Sequence, residues 1–91
     1  MITVEQVANE FQMKPDEVLK ESLNVYLKRR LSKVEAEIFL IAKKYGVKDV
    51  FELDSKAKKG LVKEEDSYDD YFALDNLEAE RDRIKFLLNK I

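Results

Sequence analysis

The sequence predicts an all-α fold: a long helical hairpin, the second helix against the fourth, with two short additional helices, expected to dimerise. Three observations lead to it. From Pro15 to Gly46 the residues Leu19, Leu23, Leu27, Leu31, Val34, Ile38, Ile41 and Tyr45 recur by fours and threes, as one stripe of a helix requires. A second stripe of that kind fills the last quarter of the chain. Only two glycines and one proline interrupt 91 residues, and 40% of them are charged, so little breaks a helix and much keeps one solvated.

Taken in order, Thr3 with Gln6 has the spacing of a capping box, and Val4, Val7, Ala8 and Phe11 recur on one face of a short helix ending near Gln12 or Met13. Lys14 precedes a proline and is pushed out of helical geometry, which marks a turn. Pro15 suits a first helical position and Gly46 a left-handed closing residue. Asp16 and Glu17 at one end, and Lys43 and Lys44 at the other, both agree with the helix dipole. At about 1.5 Å per residue this helix is roughly 45 Å long, against a radius of gyration near 12–13 Å for a compact chain of this size. It needs helical company along its length.

Beyond Gly46, Asp49 and Glu52 have cap and return-partner spacing for a third helix with Val50, Phe51, Leu53 and Ala57 on one face, stopped by Gly60. Leu61 to Ser67 shows no periodicity and reads as a loop. Ser67 or Asp66 then caps a fourth helix running to the C-terminus, with Tyr71, Leu74, Leu77, Ile84, Leu87, Leu88 and Ile91 as its stripe. Leu27, Leu31, Val34, Ile38, Ile41 and Tyr45 alternate fours and threes and are the expected helix-packing or oligomer positions. The whole chain, residues 1–91, is read as one helical domain.

Composition narrows the function classes. No cysteine and no histidine is present, which removes thiol nucleophiles, disulfides, zinc-thiolate sites and the usual neutral-pH proton shuttle. A net charge of −2 argues against wholesale affinity for nucleic acid or membrane surfaces. No apolar run reaches the twenty or so residues that span a bilayer, and the start lacks signal-peptide features, so a cytoplasmic protein is expected. Lys and Glu abundance with few amides matches a thermophile pattern. No catalytic residue, cofactor or metal site is expected, because the acids lack the spacing of a calcium loop and no phosphate-binding loop accompanies them.

The richest constellation is Glu64, Glu65, Asp66, Tyr68, Asp69, Asp70, Tyr71 and Phe72, where five carboxylates surround three aromatics. Aromatics anchor interfaces and acids steer toward basic surfaces, so this segment is the candidate partner-binding site. The plainer account makes it a solvated helix start with core aromatics. Nucleic-acid contact has its own candidates in Lys28, Arg29, Arg30 and Lys33, beside a degenerate helix-turn-helix between Val4 and Leu23. Acidic Asp16 and Glu17 would face phosphates unfavourably there, so this reading is the weaker one, and the basic residues are equally explained by pairing with nearby acids.

Three pieces, TVEQVANEFQMKPDEVLKESL, KKYGVKDVFEL and DSYDDYFALDNLEAERDRI, together resemble small all-helical archaeal antitoxin-like proteins of toxin–antitoxin pairs. The resemblance implies a non-enzymatic protein that neutralises a cognate toxin and dimerises. A DNA-binding regulator and a structural helical homo-oligomer are the alternatives.

Overall fold

The computed structural model describes residues 1–91 and contains four helices: α1 (Val4–Glu10), α2 (Pro15–Tyr45), α3 (Val50–Lys58) and α4 (Glu64–Leu88). There is no strand. The molecule measures 61 × 23 × 16 Å with a radius of gyration of 19.0 Å, well above the roughly 12 Å of a compact chain of this length. Its long axis belongs to α2, against which α4 returns antiparallel. The Arg30 guanidinium pairs with Glu80 midway, and Lys44 meets Asp70 at the other end.

Local chemistry places the helix boundaries. Thr3 accepts from the Gln6 amide and Gln6 accepts from the Thr3 amide, so the capping box is complete. The first helix stops at Glu10, two residues earlier than the spacing predicts, and Gln12 turns the chain with φ at 55°. The helix α2 begins at Pro15 and ends where Gly46 adopts φ 65°. There the Val47 amide donates to the Ala42 carbonyl at 2.9 Å, the bond pattern that closes a helix on a left-handed residue. A second clamp was not foreseen. The Lys56 ammonium reaches back from α3 and donates to the Tyr45 carbonyl at 2.9 Å, satisfying an oxygen that the end of α2 leaves without an internal partner.

The core is small and lies in the C-terminal part of the hairpin. Val34, Ile38, Ala42, Val47, Val50, Leu53, Leu74 and Ile84 form one buried cluster, and Leu27, Leu31, Ile41 and Tyr45 pack against it half-buried. The six positions expected to pack helices therefore do so within the chain, against α4. The predicted faces are less complete than their spacing suggests. Phe11, Phe51 and Leu87 stand exposed, as do Leu19 and Leu23 of the long stripe, because no element of this chain lies over them.

Residues Leu61 to Ser67 correct the sequence reading. They are not all loop: α4 starts at Glu64, on an extended Lys63 that contributes no side-chain cap. Glu64, Glu65 and Asp66 occupy its first turn, where the helix dipole favours them. Ser67 is buried inside the helix and does not cap it; its hydroxyl donates to the Lys63 carbonyl at 3.1 Å. It stands four residues before Tyr71 and seven before Leu74, so a small self-satisfied polar residue takes an inward position where an apolar one would have revealed the periodicity. At its other end α4 stops at Leu88, short of the C-terminus.

Gln12 supplies a test of the turn between α1 and α2. A left-handed conformation costs a residue with a Cβ about 1–2 kcal/mol, while glycine's extra freedom in the unfolded chain offsets part of that gain. The variant Gln12→Gly should therefore unfold at higher denaturant concentration, by roughly 0.5–1 kcal/mol. A loss of stability would show that the Gln12 side chain contributes more than its backbone strain removes.

Candidate functional site

The candidate segment begins where α2 ends, and the junction between them divides its residues into two sets. The Tyr45 hydroxyl is shared between the Asp70 carboxylate at 2.5 Å and the Asp66 carbonyl at 3.2 Å. The Lys44 ammonium reaches the same carboxylate oxygen at 2.8 Å. Asp70 and Tyr71 are thereby turned inward and half-buried. Steps of one or two residues on a helix rotate a side chain by about 100° or 200°. Tyr68 and Phe72 accordingly point out, 61% and 47% exposed.

The two outward rings are not independent. Tyr68 and Phe72 meet edge to face with centroids 4.9 Å apart, and Phe72 meets Tyr71 in the same manner at 5.5 Å. Such pairs stiffen aromatic side chains in the preferred quadrupole geometry. Glu64, Glu65, Asp66 and Asp69 stand exposed. The result is a ridge of paired rings flanked along the helix by Glu64, Glu65 and Asp69, with Asp66 about 160° around α4 from Tyr68. Beside it a cleft of about 210 Å³ opens between α3 and α4, floored by Leu53 and Ser67 and walled by Asp54, Ala57, Glu64, Tyr68, Tyr71 and Phe72. No three acidic side chains of the chain converge where they could hold a metal ion.

Lys28, Arg29, Arg30 and Lys33 do not converge. Arg30 is engaged by Glu80, and five helical steps put Lys28 about 140° around α2 from Lys33. Arg29 and Lys33, four residues apart, share a side and stand outside the Arg30–Glu80 contact. Sequence reasoning missed two other carboxylate and ammonium roles. Glu78 accepts from the Val50 amide at 2.8 Å and so caps α3 from another helix. Lys56 closes α2 in the same cross-element way. Glu52, expected to reach the Asp49 amide, accepts instead from Lys48 at 3.2 Å.

A family profile described as the Uncharacterized protein MJ0235 family matches residues 1–91. The chain belongs to that family. No curated protein matches it, and no solved structure does. For this MJ0235-family chain, the geometry of the ridge is the primary guide to chemistry. No helix in it is long and apolar enough to cross a membrane.

The junction that orients the ridge is sensitive to acid. Hydrogen bonds from Lys44 and then from Tyr45 hold the Asp70 carboxyl below its ordinary value of 3.8, against an opposing effect of burial. A depressed carboxyl stabilises the fold fully above its unfolded value, and that contribution is lost as pH falls through the folded one. Glu78 has the opposite sign. Burial raises it above 4.5, with the Val50 amide opposing, so its contribution is lost as pH rises through the raised value. Replacing Asp70→Asn should cost roughly 0.5–1 kcal/mol near neutral pH, the screened worth of a partly exposed pair and one hydrogen bond. That difference should shrink in urea titrations as pH falls below 3.8 and through the lowered folded value. A difference that persists in acid would mean that the amide, not the lost charge, destabilises the junction.

Proposed function

We propose that this chain is a non-enzymatic, protein-binding antitoxin that neutralises its toxin through the ridge at the start of α4. The observation that carries the reading is the split of the segment into an inward anchor, Asp70 and Tyr71, and an outward edge-to-face pair of rings, Tyr68 and Phe72, flanked by carboxylates. Interface hot spots are enriched in such aromatics, kept dry by a rim of weaker contacts. A toxin that cuts or modifies RNA presents a basic groove, and Glu64, Glu65, Asp66 and Asp69 supply charge of the sign that occupies it. Asp70 is committed to Lys44 and Tyr45 and belongs to the support of the surface. The resemblance of the three sequence segments to archaeal antitoxins supports the same reading.

DNA contact through Arg29 and Lys33 is a weaker alternative, because two cations on one side of a helix neutralise few phosphates. Co-expression with the product of the adjacent gene is the direct test. We expect that product to arrest growth alone, and this chain to relieve the arrest and co-purify with it. Tyr68→Ala and Phe72→Ala should each weaken the complex by about 30-fold or more, the size of a hot-spot loss, with unchanged far-ultraviolet circular dichroism. Full relief of arrest by the double variant would contradict the assignment.

A further inference from the structure

At the open end of the hairpin, away from the ridge, lies a second surface with a different character. Leu19, Leu23 and Tyr26 of α2 and Leu87 of α4 are 47%, 46%, 56% and 47% exposed. The Arg30–Glu80 contact fixes their relation. Seven residues before Arg30 stands Leu23, and seven after Glu80 stands Leu87. In antiparallel helices both steps lead to the same end, and seven residues are nearly two turns, so both leucines stay on the side of that ion pair. Leu19 and Tyr26 flank Leu23 on adjoining turns of that side.

Along α2 this side reads Asp16, Leu19, Leu23, Tyr26, Arg30, spaced three, four, three, four. That is the seam spacing of a helix that packs against another helix, and it shares Leu19 and Leu23 with the long stripe, beyond the part whose side chains are buried against α4. Its order is self-complementary. Reversed about Leu23, it sets Asp16 opposite Arg30, Leu23 opposite itself and Leu19 opposite Leu27, one residue from Tyr26. Antiparallel alignment also sets the two helix dipoles head to tail.

We propose that a second copy of this chain covers this surface, the two α2 helices packing antiparallel about a two-fold axis at Leu23 and the two hairpins forming a four-helix bundle there. Surface area supports a copy as occupant. The chain exposes 7283 Å² at a mass of 10.7 kDa, about 1,800 Å² more than the roughly 5,500 Å² of a compact monomer of that mass. Two chains carry about 3,600 Å² of such excess, in the range that obligate homodimers bury. A two-fold interface also requires one patch to complement itself, as this one does in charge and in apolar content. Arg30 keeps its Glu80 contact and gains the partner's carboxylate at its exposed edge. The ridge on α4 stays free at the far end, so this pairing is independent of toxin binding.

Sedimentation equilibrium of the full chain alone at about 50 μM tests the proposal, with an expected mass twice 10.7 kDa. Asp16→Arg sets Arg against Arg and Arg30→Asp sets Asp against Asp, so each variant should sediment as a helical monomer. Mixed in equal amounts, they should form a heterodimer, since both cross-pairs are then opposite in sign. Leu23→Asp, which touches neither charge, should be monomeric with unchanged circular dichroism. A monomeric parent chain or a dimeric Leu23→Asp overturns the proposal. Monomeric single variants that fail to associate on mixing overturn the antiparallel pairing.

Discussion

A helix of 31 residues is longer than the cover this chain provides for it. At about 1.5 Å per residue α2 extends roughly 46 Å, and α4, with 25 residues, roughly 37 Å. One helix lying on another also covers only one side. The arithmetic of burial follows from this: ten of 91 residues are buried, and eight of them form one cluster shared by α2, α3, α4 and Val47. The first third of α2 receives only the short α1 and the tail of α4. Its apolar residues Leu19 and Leu23 are consequently left in solvent.

With so few buried side chains, polar contacts between elements take on a larger structural share. The end of α2 is where they concentrate. Gly46 allows the chain to turn, Lys56 satisfies the Tyr45 carbonyl, and Tyr45 with Lys44 holds Asp70. Because Asp70 is fixed, the rotation of α4 is fixed as well, and Tyr68 and Phe72 face outward as a geometric consequence. The ridge is thus a property of the junction as much as of its own sequence. Glu78 at the Val50 amide adds a further tie, setting α3 against α4 beside the same cleft.

Most of the architecture was legible because its signals are local. Thr3 with Gln6, Pro15 with Gly46, and Asp49 with Glu52 act within one helix or its flank, and their spacing can be read directly. The stripe from Leu27 to Tyr45 identified the face that α4 covers. What escaped depends on partners distant in sequence. Ser67 hides in an inward position by bonding its own helix, and so concealed the true start of α4. Lys56 and Glu78 cap helices to which they do not belong. The candidate segment stands out as a stretch of sequence, but its division into inward and outward side chains depends on Tyr45, more than twenty residues earlier. The stripe on α2 is continuous in sequence, and only tertiary packing determines which part of it is covered.

In the proposed dimer α2 has two halves of different origin: a C-terminal part stabilised by α4 within the chain, and an N-terminal part that completes its burial by association. Amide hydrogen exchange measured at several protein concentrations separates them. Peptides covering residues 15–26 should gain protection as concentration rises, while peptides covering 31–45 should exchange at one slow rate throughout, since their burial is intramolecular. Protection that is uniform along α2 and independent of concentration would contradict the account.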